Sequence, residues 1–467
     1  MTASQPQLLA HHCTEAGLIE KAAALWGEAG QRSLARSALL EGAAQLNHAL
    51  NQIATLPTTP ALRREEIKLQ VALATAMMHT KGYAAAETKV AVDLARVSIE
   101  RAEALGEPPE DPLLLFSVLY SSWVSSFVAF NGDVCCGLAG QFLALTERKG
   151  ETVPRMIGHR LMGSSLLLTG DIAEAKMHYD RAIALYNPIE HRPLAMRFGQ
   201  DIEVACLSFR LLALWLLGYP EAALADTDLA LKNARSIGQA TTLMFALSHV
   251  PLTCIQCGAY ETTNAQADEV VALADEKGAL LWKAPGTIIK GFVFALTGSP
   301  RNAVEMIACG IGATSSTGST LFMPLYLSYL AVAYADLNQF ENAARCIDDA
   351  MSAAATTKSW WWQAETQRIA GEIALILPVP DVAKAEGYFE RALAVARQQQ
   401  AKSWELRAAI SMARLWRDQG KRDQARELLT PIYSWFTEGF ETLDLKQAQA
   451  LLDELHTHDE PLSKVIE

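Results

Sequence analysis

The residues of this sequence whose type and spacing could support chemistry are pairs of cysteine and histidine. Cys254 and Cys257 form a C-x-x-C motif, and His249 precedes Cys254 by five residues. A redox motif of this kind needs a strand that leads into a helix, and a structural zinc site needs a second pair of ligands at suitable spacing. Neither accompanies Cys257, which directly precedes a glycine. We therefore predict packing cysteines, with a metal- or thiol-dependent protein as the alternative.

Two further pairs are adjacent in the chain. Cys135 and Cys136 lie beside a predicted turn, and we interpret them as packing residues too. His11 and His12 lie on a predicted helix, where neighbouring side chains diverge by about 100° and cannot easily share a metal ion. No histidine comes with a serine or cysteine and a carboxylate in a pattern that would indicate nucleophilic catalysis. We predict no catalytic residues, no metal site and no cofactor.

The elements that must position these residues are helices. Apolar residues recur at i, i+3, i+4 and i+7 along the chain, and almost no stretch alternates with a period of two. A small residue recurs at intervals of 48, 40, 40, 40, 42 and 40 residues, at Ala175, Ala223, Thr263, Ala303, Ala343, Ala385 and Ala425. This period indicates a stack of about nine helix hairpins, of which the last seven are in clear register.

Turn-forming residues precede the recurring small residues by five positions. They are Gly170, Gly218, Gly258, Gly298, Asn338, Pro380 and Gly420. A helix ends readily on a residue that accepts the left-handed conformation, as glycine does freely and asparagine tolerably. Each of these positions therefore predicts the turn of a hairpin. Earlier and less regular turns are predicted at Gly17, Gly82 and Gly132.

Three consecutive tryptophans, Trp360, Trp361 and Trp362, stand out in this pattern. Neighbours on a helix are rotated by about 100°, so three in a row cannot all point into one apolar face. A column of aromatic residues lies 21 positions before the recurring small residues, once two extra residues in one turn are allowed for: Trp282, Phe322, Trp362 and Trp404. We predict that this column wedges between successive hairpins. Trp360 and Trp361 are left over, and they are candidates for an exposed groove or a partner contact.

Two long stretches without charge, residues 236–260 and 306–335, each span the second helix of one hairpin and the first helix of the next. First helices commonly line the concave surface of a solenoid, so these stretches could form an apolar trough for a peptide or small molecule. A deeper core is the alternative. Pro251 and Pro324 should kink their helices and widen such a trough. The predicted partner-binding residues are Trp360, Trp361, Pro251, Pro324, Tyr326 and Tyr329.

Composition narrows the classes of partner. The 467 residues carry 40 basic and 52 acidic side chains, a formal charge of −12, without a basic run of five or more residues. This balance argues against nucleic acid as a partner. Eight cysteines without a signal peptide fit a reducing compartment, so we predict a cytoplasmic protein. Residues 113–130 are uncharged, but their five serines and their helical phase predict a buried helix and no membrane span.

The hairpin pattern resembles tetratricopeptide repeats. The clearest copy is GDIAEAKMHYDRAIALYNP, which has the turn glycine, the alanine five residues later and the later alanine of that family. Gly163 falls where the first helix of such a repeat needs a small residue. The family period is 34 residues, whereas this chain repeats about every 40, so we expect longer helices.

The two ends of the chain resemble a more specific family. LLAHHCTEAGLIEKAAALWGEAGQRSLARSA and SWELRAAISMARLWRDQGKRDQARELLTPIYSWFTEGFETLDLKQAQALLDEL are similar to the C-terminal repeat region of large bacterial signalling proteins. Those proteins place a class III nucleotide cyclase domain, or a winged-helix DNA-binding domain, before a signal-transduction NTPase and this superhelix. The resemblance is loosest over residues 55–150. Since the sequence contains neither a G-x-x-x-x-G-K-[ST] motif nor a cyclase domain, the resemblance implies the sensor region without its catalytic domains.

We therefore predict an all-α, right-handed α-solenoid of tetratricopeptide-like hairpins. Residues 1–60 would be N-terminal helices at the junction to an NTPase, residues 61–455 the superhelix and residues 456–467 a polar tail. The resemblance implies a non-catalytic interaction or sensor module of a bacterial signalling protein. Its partner would be a protein or peptide, including an NTPase or cyclase domain in trans. The alternative is an independent scaffold for an unrelated protein or peptide.

Overall fold

The computed structural model describes residues 6–35, 38–107, 109, 111–149 and 151–456. All regular elements in these residues are helices, so the predicted all-α class is confirmed. The predicted polar tail lies, apart from its first residue, outside the described residues. None of the described helices combines the length and the apolar composition needed to cross a membrane.

The first of two compact units consists of residues 1–130 and 315–321. Its helices are α1 (Pro6–Glu15), α2 (Ile19–Ala35), α3 (Leu39–Ile53), α4 (Pro60–Lys81), α5 (Ala86–Ala104) and α6 (Leu114–Val128). Gly17 lies between α1 and α2, and Gly82 lies between α4 and α5. Both have a positive φ, 70° and 98°, so the turns predicted at these glycines are confirmed.

Helix ends in the first unit are satisfied by local polar groups. The hydroxyl of Thr59 accepts a hydrogen bond from the amide of Leu62 at the start of α4, at 3.2 Å. At the end of α6, the carbonyl oxygen of Val128 accepts hydrogen bonds from the amides of Thr320 and Leu321, at 3.0 and 3.2 Å. Residues 315–321 belong to this unit, and their amides supply hydrogen-bond donors to a carbonyl group at the end of α6.

The second unit consists of residues 131–314 and 322–467. Up to residue 277 its helices are α7 (Gly132–Lys149), α8 (Thr152–Thr169), α9 (Ile172–Ala184), α10 (Pro188–His191), α11 (Ala195–Phe198), α12 (Ile202–Leu216), α13 (Pro220–Ile237), α14 (Ala240–His249), α15 (Pro251–Gln256) and α16 (Tyr260–Lys277). The others are α17 (Leu280–Leu296), α18 (Pro300–Ser316), α19 (Met323–Asp336), α20 (Phe340–Thr357), α21 (Gln363–Leu375), α22 (Val382–Gln398), α23 (Lys402–Asp418), α24 (Arg422–Tyr433) and α25 (Leu443–His456). The short helices α10 and α11 form an insertion that accounts for the one spacing of 48 residues.

The seven regular hairpins begin at α8, α12, α14, α17, α19, α21 and α23. Six of the seven predicted turn residues have a positive φ, from 57° at Asn338 to 97° at Gly170. The exception is Pro380, whose ring fixes φ near −65° and whose turn is longer. The predicted hairpins and their period are therefore confirmed by the backbone conformation.

A second series of left-handed residues follows the second helices of the hairpins, and the sequence pattern did not predict it. Its members are Gly238, Gly278, Gly318, Lys358 and Gln400. Their spacings are 40, 40, 40 and 42 residues. The series is hard to see in the sequence because Lys358 and Gln400 occupy positions that favour glycine.

Small residues on first helices make room for rings on second helices. A Cβ atom at Gly163 would lie 2.9 Å from the ring of Tyr179, and one at Gly371 would lie 2.4 Å from the ring of Phe389. Both distances are shorter than any van der Waals contact, so the two helices of these hairpins can approach only because the residues are glycines. The role predicted for Gly163 is confirmed.

The two prolines of the predicted trough behave differently. Pro251 interrupts the first helix of its hairpin, since α14 ends at His249 and α15 begins at Pro251. Pro324 lies in the first turn of α19, where a missing amide hydrogen costs nothing. The prediction that Pro324 kinks a helix is therefore wrong.

Within the second unit, first helices that are several hairpins apart meet at their ends. The amide of Trp361 donates to the carbonyl oxygen of Leu168 at 3.3 Å. The hydroxyl of Ser403 donates to the carbonyl oxygen of Trp215, 188 residues away. The rings of Trp215 and Trp404 meet edge-on with centroids 4.7 Å apart. These contacts fill much of the interior with side chains, as a deeper core predicts. Residues of both uncharged stretches, among them Gln256 and Val332, nevertheless line a cleft.

Candidate functional site: a charged cleft between first helices

The aromatic column lies in the interior of the second unit. Phe322, Trp362 and Trp404 are 5%, 1% and 1% exposed, while Trp282 is half-buried. The rings of Trp362 and Trp404 meet edge-on at 4.8 Å, and the Nε1 of Trp404 donates to the carbonyl oxygen of Trp361 at 3.1 Å. Rings of this size bury about 150–250 Å² each, so the column supplies much of the apolar contact between successive hairpins.

The structure buries Trp361, contrary to the expectation of an exposed groove residue. Its side chain is 1% exposed, whereas Trp360 is half-buried. The rotation argument fails because this segment is not helical: Lys358 has a left-handed φ of 59°, and α21 begins only at Gln363. Trp361 and Trp362 can therefore both turn inward.

The other predicted partner-binding residues are also buried. Pro251, Pro324 and Tyr326 lie in the core, so they form no contact surface for a partner in this conformation. Tyr329 is buried as well, but it borders a cleft, where its hydroxyl oxygen accepts a hydrogen bond from Nε2 of Gln256 at 3.1 Å. Burial raises the pKa of Tyr329, so its hydroxyl stays protonated at neutral pH.

The cysteine and histidine cluster lies in the core. Cys254 and Cys257 are 1% and 9% exposed, and burial raises the pKa of their thiols to about 11 and about 12. His249 lies 2.7 Å through Nδ1 from the carbonyl oxygen of Phe245, and burial lowers its pKa to about 4. No group of three or more possible metal ligands occurs among the described residues. A thiolate nucleophile is therefore not available at neutral pH in this motif.

A cleft of about 360 Å³ opens among α15, α17, α19, α21, α23 and α25. Aliphatic side chains form much of its wall, including Val332, Ile369, Ile373 and Ile410. Its charged residues are Asp336, Glu365, Arg368, Glu372, Arg407, Arg414 and Asp444. Apolar walls with a few oriented polar groups are typical of sites that bind ligands.

Arg368 and Glu365 form a two-point ion pair on α21. The Nε and Nη2 atoms of Arg368 donate to the two carboxylate oxygens of Glu365, each at 2.8 Å. Its Nη1 atom lies 3.3 Å from Glu372, which also accepts a hydrogen bond from the hydroxyl of Ser411 on α23 at 2.5 Å. Two parallel bonds fix the plane of a guanidinium group. The charges on this wall are therefore oriented before any ligand enters.

Arg407 connects α23 to both α15 and α25. Its Nε atom donates to Asp444 at 2.8 Å, while Nη1 and Nη2 donate to the side-chain and backbone oxygens of Gln256 at 2.8 and 2.9 Å. The guanidinium group lies 5.1 Å from the ring centre of Trp215 and 5.3 Å from that of Trp404. This single side chain connects residues 151 positions apart and stabilises the packing of the helices around the cleft.

The two buried carboxyl groups of the cleft, Glu365 and Asp444, have pKa values shifted in opposite directions. Burial would raise the pKa of Glu365, but Arg368 and Arg407 outweigh it, so the pKa of Glu365 is lowered and the group stays ionised. Burial raises the pKa of Asp444 despite the adjacent Arg407. For Asp444, the loss of hydration therefore raises the pKa by more than the attraction of one guanidinium group lowers it.

Sequence reasoning missed every charged residue of the cleft. Glu365 and Arg407 each stand three residues after a member of the aromatic column, a position that holds Leu325 in an earlier hairpin. A charge in place of an aliphatic residue on a buried helix face is unusual unless the charge is paired. This substitution could have marked Glu365 and Arg407 as unusual positions, but it identifies neither their partners nor the cleft that they line.

Comparison with known proteins shows the fold. No protein-family model matches the chain. An uncharacterised protein of Rhizobium meliloti is 21% identical over 362 residues, which are 77% of this chain and 34% of that protein. This chain therefore spans about a third of the length of that curated relative.

One solved structure shows the likeness in fold. A Rap protein complexed with competence and sporulation factor superposes with a TM-score of 0.54 at 13% identity, over 82% of this chain and 99% of that chain. A signal-transduction ATPase with a tetratricopeptide repeat sensor, from Pyrococcus horikoshii, gives a TM-score of 0.37 at 12% identity, over 82% of this chain and 56% of that chain, which is too low to support an inference. The predicted solenoid of tetratricopeptide-like hairpins is confirmed.

Proposed function

We propose that this chain is a non-catalytic interaction and sensor module, which binds a protein segment or peptide in the charged cleft and regulates an associated signal-transduction NTPase or nucleotide cyclase. The observation that carries the proposal is the cleft of about 360 Å³, whose charged groups are held in place by Arg368 and Arg407. Concave surfaces lined by successive repeats are the usual binding surfaces of solenoid proteins.

Two comparisons support this proposal. The Rap protein that shares the fold was solved in complex with competence and sporulation factor. The curated relative is about three times as long as the matched region, and this length is compatible with further domains beside a repeat region. The regulatory part of the proposal also draws on the resemblance of both chain ends to the repeat regions of bacterial cyclase and NTPase proteins.

The network around Arg407 supplies a route from ligand to structure. A ligand shifts a conformational equilibrium only by binding one conformation more tightly than the other. Arg407 bonds to Gln256 on α15 and to Asp444 on α25, so a ligand that competes for this guanidinium group changes how the two helices are held. Displacement of α25 relative to α15 is the proposed output of binding.

Peptide selection with a blocked cleft tests the binding step. A displayed peptide library is selected against the whole chain, and the dissociation constants of enriched peptides are measured by calorimetry. Val332→Trp, which places an indole in the cleft, should weaken these peptides by at least about tenfold, or about 1.4 kcal/mol. Leu229→Trp on the exposed face of α13 is the matched control and should leave affinity unchanged. Equal affinity for both variants would place binding elsewhere and refute the cleft as the site.

A second measurement tests the regulatory step separately. The chain is mixed with a signal-transduction NTPase domain, and in a parallel assay with a class III cyclase domain, and nucleotide turnover is followed with and without a selected peptide. Turnover that responds to the peptide with the native chain, and not with Val332→Trp, supports regulation through the cleft. Peptide binding without any change in turnover would contradict the regulatory part alone.

A further inference from the structure

One face of α5, in the first unit, leaves aliphatic side chains uncovered. Val90, Leu94 and Val97 are 58%, 49% and 51% exposed. Their spacing of four and three residues places them along one side of the helix. The opposite side is packed, with Val92 and Ile99 at most 1% exposed. An aliphatic stripe of this kind on a helix that is otherwise well packed indicates a contact surface.

Opposite charges stand at the two ends of this stripe. Glu87 lies seven residues before Leu94, and Arg101 lies seven residues after it. Seven residues are nearly two full turns, so both charges fall on the same side of the helix as the stripe. Both side chains are exposed, and among the described residues neither forms an ion pair. A helix dipole favours this placement of charges, but it gives no reason for aliphatic residues between them.

The stripe is complementary to itself in one orientation. If a two-fold axis passes at Leu94 and the two helices run antiparallel, Leu94 meets its own copy. Val90, four residues from the axis, then packs near Val97 of the second copy, which is three residues from it. Glu87 then faces Arg101 of the second copy, and the reverse pair forms by symmetry. In a parallel arrangement, Glu87 would face Glu87 and Arg101 would face Arg101. The charges therefore favour the antiparallel pairing and oppose the parallel one.

We propose that α5 is a homodimerisation surface that pairs antiparallel with α5 of a second copy about an axis at Leu94. The helix is 19 residues long, and the stripe covers about two turns of it. A seam of this length buries less than the roughly 1,600 Å² of a standard interface. The dimer should therefore be weak, with a dissociation constant in the micromolar range, roughly 10–100 μM.

Sedimentation of the full chain tests the proposal over concentrations of about 1–300 μM. Native protein should shift from monomer to dimer across this range. Glu87→Arg and Arg101→Glu, each alone, should weaken dimerisation by about tenfold, because both ion pairs of the seam become like-charge contacts. The combined Glu87→Arg, Arg101→Glu chain should recover the native dissociation constant. Circular dichroism of each variant checks that the fold is retained.

Leu94→Lys is a second test, and Leu40→Lys is its matched control. Leu94→Lys places two like charges on the axis and should abolish the dimer, whereas Leu40 is 71% exposed on α3, outside the stripe. A native chain that stays monomeric up to 300 μM would overturn the proposal. Dissociation constants that stay unchanged in both single charge reversals would overturn it as well. So would a double reversal that fails to recover the native dissociation constant.

Discussion

Removal of the Arg407 guanidinium group is the most informative perturbation of the cleft. In Arg407→Met the aliphatic stem is retained, but Asp444 and both oxygens of Gln256 lose their donor, and Glu365 loses one of its two guanidinium partners. The native guanidinium is 14% exposed and its partner Asp444 is 13% exposed, so solvent screens this pair little. Loss of one partner from a buried ion pair costs about 3–5 kcal/mol, and we expect a loss of unfolding free energy in that range.

A double-mutant cycle separates the ion pair from the packing. Asp444→Asn removes the carboxylate charge that Arg407→Met would leave unpaired. The double variant should therefore be more stable than the sum of the single effects by about 1–3 kcal/mol. Unfolding in urea is followed by tryptophan fluorescence, to which Trp215 and Trp404 beside the guanidinium contribute.

The loss of unfolding free energy in Arg407→Met should depend on pH, in a direction that a loss of packing alone would not produce. Burial already raises the pKa of Asp444 in the native protein, and loss of Arg407 raises it further. A carboxyl group whose pKa is higher in the folded state binds protons preferentially there, so the defect of Arg407→Met should shrink as the pH falls from 8 to 5. A cost below about 1 kcal/mol, or single effects that add within about 0.5 kcal/mol, would refute the proposed role of this ion pair.

Three further outcomes follow from the fold. Trp361→Ala should lower the unfolding free energy by about 3–5 kcal/mol and Trp360→Ala by less than about 1 kcal/mol, measured by urea unfolding; similar losses would contradict the observed burial. Lys358→Gly should stabilise the protein by roughly 0.5–1 kcal/mol, because glycine adopts the left-handed φ of 59° without steric cost, and a lower melting temperature would oppose this account. His249 has a pKa of about 4 when folded, below its usual 6.5, so only the unfolded state binds a proton between these values. Stability should thus fall from pH 6.5 toward pH 4, by at most about 3 kcal/mol, and His249→Phe should remove this part of the slope.

The repeat could be predicted because its signals are local. A turn needs a residue that tolerates a positive φ, and the residue types of Gly170 and Asn338 indicate such positions in the sequence itself. Gly163 likewise indicates a close contact between two helices, which the structure shows to be with the ring of Tyr179. The tryptophan cluster was harder, because the phase argument assumed a helix through Trp361, and a left-handed turn residue other than glycine broke that helix.

The cleft could not be predicted because its members are distant in the chain. Gln256 lies on α15, Arg407 on α23 and Asp444 on α25. Each of these residue types is common on protein surfaces, so none of them alone indicates a buried site. Their burial depends on how many hairpins complete one turn of the solenoid within the second unit. That number depends on small rotations between successive repeats, which accumulate over many residues and leave no local signature.

The pattern of amino acids alone therefore specified the helices, their pairing and their period of about 40 residues, since these follow from side-chain size and backbone preference within one hairpin. Packing in three dimensions decided which charged residues face inward, which tryptophans are buried and where a ligand can enter. Those features arise from contacts between residues far apart in the chain, such as Ser403 with Trp215 at a separation of 188 residues, which no local pattern encodes.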